Sequence, residues 1–152
     1  MALSGARIRI VLDANVLFSG CAFNEGGYPR QILDLVAKRE VCLVINGYII
    51  SEVVDHLIEK NKRESVRWFS SFLSTALVDT VSTPSPDQVK ANLYLVPRDP
   101  KDVPIVLTAI NSNVDYLISG DGHINSHNES THHIDKLVSV LTPKEFILLA
   151  LS

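Results

Sequence analysis

The chain has 152 residues, enough for one compact domain (1–152) with its own core and too few for two. Apolar residues make up 46% and charged residues 20%, a globular rather than disordered composition; no apolar run reaches the ~18 residues of a spanning helix, and the N-terminal stretch, broken by Arg7, Arg9 and Asp13, does not read as a secretion signal. The net charge of −3 argues against a protein that coats nucleic acid without specificity, and the two cysteines, Cys21 and Cys42, read as small core residues of a cytoplasmic protein rather than as a disulfide framework.

Arg7 to Leu12 alternates and then turns wholly apolar, the pattern of a strand entering a sheet covered on both faces; it stops at Asp13-Ala14-Asn15. A short apolar helix is expected from Val16, a loop at Gly26-Gly27, and a helix from Pro29 to about Lys38. Val41 to Ile45 reads as a second buried strand. A helix from about Tyr48 to Asn61 follows, with Ile50, Val53, Val54, Leu57 and Ile58 on one face. The next helix, about Glu64 to Thr75, carries Trp68, Phe69 and Phe72 at core spacing. Leu77 to Val81 reads as a short strand, Ser82 to Pro86 as a loop and Gln88 to Leu93 as helical. Pro97 to Asp102 is a turn that ends where a helix, Val103 to Asn111, begins. Asp115 to Ser119 is a strand stopping at Gly120-Asp121-Gly122, a polar loop runs to about Asp135, and Leu137 to Leu141 is the last strand. Thr142-Pro143-Lys144-Glu145 is a helix start with a capping box. Strands alternating with helices imply an α/β fold: a three-layer α/β/α sandwich around a parallel sheet of about five strands.

In such sheets ligands bind beyond the carboxyl ends of the strands. Asp13 and Asp121 directly follow strands, Glu52 lies early in the helix after the second strand, and Asp102 stands at a helix start. Singly, Asp102 reads as a cap, Glu52 as a dipole partner and Asp121 as a turn residue. Together they place four carboxylates at one sheet edge. Two carboxylates about 4 Å apart repel by roughly 4 kcal/mol at an effective dielectric of 20. A cation must offset that, and all-oxygen acidic sites favour Mg²⁺ or Mn²⁺. Such ions hold phosphate oxygens and activate water in phosphodiester hydrolysis.

Ile10-Val11-Leu12-Asp13-Ala14-Asn15-Val16-Leu17, Ser51-Glu52-Val53, Arg98-Asp99-Pro100-Lys101-Asp102, Asp115 to Asp121 and Leu141 to Phe146, in this order and spacing, resemble the PIN-domain ribonucleases over nearly the whole chain. The branch they resemble is that of small bacterial and archaeal proteins regarded as toxins of toxin–antitoxin pairs. The resemblance implies divalent-ion ligation by Asp13, Glu52, Asp102 and Asp121, an outer carboxylate in Asp99, a site-shaping role for Asn15 and a positioning role for Ser119. It also implies endonucleolytic cleavage of single-stranded RNA, a small antitoxin partner and dimerisation, with no membrane association. Where this branch commonly has a second acid after the last motif aspartate, the chain has His123.

His123, His127, His132 and His133 fall in one polar loop without the spacing of structural zinc, and read as a solvated segment. Lys60, Lys62, Arg63 and Arg67 read as a solvated face, whereas Arg98 and Lys101, beside the acids, are candidates for RNA phosphate contacts. Two other classes compete. One is a catalytically weak or inactive PIN-like scaffold that binds RNA or protein, which His123 favours. The other is phosphoryl transfer on an aspartate, which Asn15 disfavours because the dehalogenase type needs an aspartate two residues after its nucleophile. Neither a P-loop nor a dinucleotide fingerprint is present.

Overall fold

The computed structural model describes residues 7–23, 26–120, 124 and 132–152. Its centre is a five-stranded parallel sheet of order β3-β2-β1-β4-β5, formed by β1 (Ile8–Leu12), β2 (Val41–Ile45), β3 (Val78–Thr80), β4 (Tyr116–Ile118) and β5 (Val140–Leu141). The inner strands are apolar because both faces are covered: every residue of β2 is buried, as are Ile10, Val11 and Leu12 of β1.

Topology places the helices. From β1 to β3 the chain moves one way across the sheet, through α1 (Ala14–Ala22), α2 (Tyr28–Ala37), α3 (Gly47–Glu59) and α4 (Arg63–Thr75). It then crosses to the other side of β1, through α5 (Pro86–Ala91), two 3-10 turns (Leu93–Leu95 and Pro100–Asp102) and α6 (Val103–Asn111). Right-handed crossovers that run in opposite directions put these two groups on opposite faces, which gives the three layers. A short helix α7 (His132–Asp135) precedes β5, and α8 (Pro143–Ala150) packs back on α2. The reversal of direction makes the β1/β4 boundary the switch point of the sheet.

The buried polar residues Asp13, Asn46, Thr108 and Ser119 form two hydrogen-bonded pairs. Asn46 caps α3 by accepting from the Ile49 N–H at 3.1 Å, and its Nδ2 donates to Thr108 Oγ1 at 2.8 Å. Thr108 in turn donates to the Pro104 carbonyl, so the start of α3 is tied to α6. Among the described residues no buried side-chain polar atom lacks a partner.

Several boundaries differ from expectation for local reasons. α1 starts at Ala14, because Asp13 accepts from the Val16 N–H at 2.8 Å and caps it. α3 ends at Glu59: Asn61, at φ 57°, turns the chain left-handed, and the Lys62 N–H closes back on the Leu57 carbonyl. α5 begins at Pro86, two residues early, under a Ser85–Gln88 capping box. The Thr142–Glu145 box forms as expected. Phe69 and Phe72 are core; Trp68 is half-buried and stacked on Phe72. Cys21 and Cys42 are buried and unpaired. His123 and His127 lie outside the described residues, as do the side chains of His132 and His133.

Candidate active site

Asp13 follows the last residue of β1, and Ser119 follows the last residue of β4. The sheet ladder continues through both: the Asp13 N–H donates to the Ile118 carbonyl at 3.0 Å, and the Ser119 N–H to the Leu141 carbonyl at 3.0 Å. Backbone pairing thus fixes the two side chains next to each other at the switch point. Ser119 Oγ donates to Asp13 Oδ2, while Oδ1 of the same carboxylate accepts from the Val16 N–H. Asp13 is only 3% exposed, so these bonds stabilise an anion in a place where burial alone would disfavour it.

A cavity of about 600 Å³ opens beside this pair, lined by Asn15, Ser19, Pro29, Asp99 and Gly120 among others. Asn15 follows Asp13 by two residues, and Gly120 follows Ser119. The cavity wall therefore joins the start of α1, the end of β4 and the segment before α6.

Tyr48 ties α3 to the turn that carries Asp99 and Asp102. It is half-buried in the first turn of α3, four residues before Glu52, and its hydroxyl donates to the Lys101 carbonyl at 2.7 Å. That carbonyl belongs to the 3-10 turn Pro100–Asp102, between Asp99 and Asp102. Burial pushes the phenol up to about 12, and the negative charges of Glu52, Asp102 and Asp99 push the same way. Negative charge from two separate elements thus acts on one phenol. The phenol stays protonated, and so remains a donor, across the neutral range.

Of the residues expected at the site, Asn15 and Asp99 line the cavity, and the buried Asp13 and Ser119 precede its lining residues Asn15 and Gly120 in the chain. Asp99 and Asp102 are half-buried, and Glu52 is exposed. Asp102 precedes α6, yet its side chain makes no cap hydrogen bond, so the simple capping role does not account for it. Arg98 and Lys101 are exposed, and among the described residues neither takes part in an ion pair. Asp121 and His123 lie outside the described residues. Tyr48 was missed from sequence; its signal is the four-residue spacing to Glu52 on a helix that starts at the ligand-binding edge of the sheet.

The donors are carboxylate, hydroxyl and amide oxygens, a set suited to a hard divalent cation rather than to zinc or copper. Among the described residues no three His, Cys, Asp or Glu side chains by themselves form a metal-holding group.

The PIN-domain family model matches residues 9–123, from the second residue of β1 past the end of β4. The chain belongs to the PIN-domain family. PIN domains are generally nucleases and typically use divalent metals. The fold is similar to PAE2754 from Pyrobaculum aerophilum (TM-score 0.64, 12% identity, 96% of this chain and 98% of that one covered). It is also similar to VapBC2 from Rickettsia felis, solved bound to a DNA fragment from their promoter (TM-score 0.61, 15% identity, 89% and 98% covered). No curated protein matches the chain in sequence. Among the described residues of this PIN domain no helix is long and apolar enough to cross a membrane.

Proposed function

We propose that this PIN domain is a Mg²⁺- or Mn²⁺-dependent endoribonuclease that cleaves single-stranded RNA, and that it is the toxin of a toxin–antitoxin pair, cytoplasmic and restrained by a small antitoxin protein. The observation that carries the nuclease reading is Asp13, buried at the β1/β4 switch point two residues before Asn15 of a cavity that Asp99 also lines, with Tyr48 bonded to the turn between Asp99 and Asp102. The toxin reading is supported by the likeness in fold to VapBC2 and by the sequence resemblance to small prokaryotic toxins.

Asp13, Glu52, Asp99, Asp102 and Asp121 are the residues that would hold the ion. When bound, it supplies a charge that offsets their repulsion and a water made more acidic for attack on phosphorus. Ser119 orients the Asp13 carboxylate, and Tyr48 holds the turn that carries Asp99 and Asp102. Asn15, exposed on the cavity wall, can bond a phosphate oxygen or water. Arg98 and Lys101 supply positive charge at the rim for the flanking backbone.

The test is Asp13→Asn with Mn²⁺ and a single-stranded RNA. Asparagine keeps a side-chain oxygen for the α1 cap, so the fold should persist. Losing a ligand that contributes several kcal/mol of transition-state stabilisation should slow cleavage by about 10²-fold or more. A fully active variant, or wild-type cleavage insensitive to EDTA, would overturn the reading. The second reading, an inert scaffold, is favoured by His123; it predicts that millimolar Mn²⁺ leaves the wild-type melting midpoint unchanged.

A further inference from the structure

The cations near the junction of α3 and α4 do not all lie on open surface. Arg30 of α2 and Lys62 and Arg63 at the start of α4 share a cavity of about 590 Å³ with Trp68, walled on one side by Cys21 and Ala22 of α1. One carboxylate, Glu64, lines it, and Asp34 stands 3.8 Å from Arg30 Nε. The wall is therefore net positive in a chain of net charge −3.

Arg30 is held in place. Its guanidinium carbon lies 3.9 Å from the centroid of the Trp68 ring, and Nη1 donates to the Gly20 carbonyl at 3.0 Å. Phe72 backs that ring, with centroids 5.2 Å apart. A guanidinium already fixed gives up little freedom when an anion arrives, and its planar fork suits phosphate oxygens. The Lys62 ammonium sits 5.3 Å from the Phe23 ring centroid.

Position identifies the ligand. Asn15, Ser19 and Ala22, spaced i, i+4, i+7, form one stripe of α1. Asn15 and Ser19 line the acidic cavity, and Ala22 lines the basic one. The consecutive residues Pro29 and Arg30 divide between the two cavities in the same way. The stripe covers about 10 Å of helix, or two to three stacked nucleotides at a rise of about 3.4 Å. A polyanion engaged at the acids has its neighbouring phosphates within reach of these cations. We infer that the Arg30–Lys62–Arg63 cavity is a second phosphate-binding subsite, which grips the RNA strand two or three nucleotides away from the bond that is cut. The inference rests on the nuclease reading given above.

The experiment measures binding in a non-cleaving Asp13→Asn background, with and without Lys62→Gln/Arg63→Gln. Anisotropy titrations use a labelled uridine octanucleotide and a trinucleotide in Mg²⁺ buffer, with added salt from about 50 to 200 mM. Each phosphate contact contributes about 0.7 to the slope of log affinity against log salt for a single strand. Loss of two contacts should make the octanucleotide slope about 1.4 shallower, so the advantage of the parent over the variant shrinks about sevenfold across that range. The trinucleotide, too short to span both cavities, should give the same slope with both proteins. Should the double variant unfold, Arg63→Gln alone should remove about 0.7. Equal octanucleotide slopes would overturn the inference and leave RNA binding at the acids standing. No binding of either strand by either protein would instead overturn the nuclease reading. Displacement by an acidic peptide, with an RNA affinity indifferent to Lys62 and Arg63, would make the cavity a protein-docking site and likewise overturn the subsite.

Discussion

Tyr48→Phe removes one oxygen atom and should act at two levels. The lost bond is a 2.7 Å hydroxyl-to-carbonyl contact between α3 and the turn that bears Asp99 and Asp102. A bond of this kind contributes about 1 kcal/mol net. In a protein of this size each kcal/mol moves the melting midpoint by roughly 2–4 °C. The larger effect should fall on the proposed ion site. Residues that hold ligands in place, without binding metal themselves, typically cost 10- to 100-fold in metal affinity or activity when removed. Mn²⁺ titration followed by the rise in melting midpoint should therefore give an apparent dissociation constant about tenfold weaker or more. Cleavage rates at saturating Mn²⁺ should recover part of the loss. Because the phenol ionises only near pH 12, the ratio of wild-type to variant rate should stay constant from pH 6 to 9. A variant with wild-type midpoint and wild-type Mn²⁺ affinity would refute the role of Tyr48 as the strut between α3 and the acidic turn.

Gly20→Ala should destabilise the protein despite the better helix propensity of alanine. The new Cβ would lie 2.6 Å from Leu33 Cδ1 and 3.2 Å from the Pro29 carbonyl, and Leu33 is fully buried. Overpacking of about 1–2 kcal/mol corresponds to a midpoint lower by roughly 2–8 °C; an unchanged midpoint in a thermal melt would show that α1 and α2 separate freely. Cys21 should resist thiol reagents at pH 8 until denaturant is added, since burial pushes its thiol up to about 12 against a smaller opposing effect from Arg30. A raised native pKa means that the folded state holds its proton more tightly. Stability from Cys21 is then intact below about pH 9 and lost as pH rises toward 12. Urea midpoints at pH 8 and 10.5 should fall in that order, and rapid native-state labelling of Cys21 at pH 8 would contradict the burial.

The layers and strand order follow from signals plain in the sequence: wholly apolar strands such as Val41 to Ile45, and helices between them. Asp13 was legible because a charged residue directly after an apolar strand has few bland explanations. Asp102 was singled out by its place at a helix start, whereas Asp99 was legible only through the family motif, since Pro97 to Asp102 has no periodicity. Tyr48 was missed because its partner is a backbone carbonyl 53 residues away, which its four-residue spacing to Glu52 only hints at. The charged group at Lys60–Arg67 was read as one solvated face; Lys60, Arg63 and Arg67 are indeed exposed, while Lys62, after the left-handed turn at Asn61, is half-buried and lines a cavity together with Arg63. The α5 boundary was misjudged by two residues although Ser85 and Gln88 spell a capping box.

The two outermost strands are short, three residues in β3 and two in β5. A neighbouring molecule finds almost no exposed ladder to extend there, so end-to-end growth into a continuous intermolecular sheet is blocked at both margins. Self-association, or capture of a partner peptide, must then rely on helical side chains. Such contacts are reversible and tuned by composition.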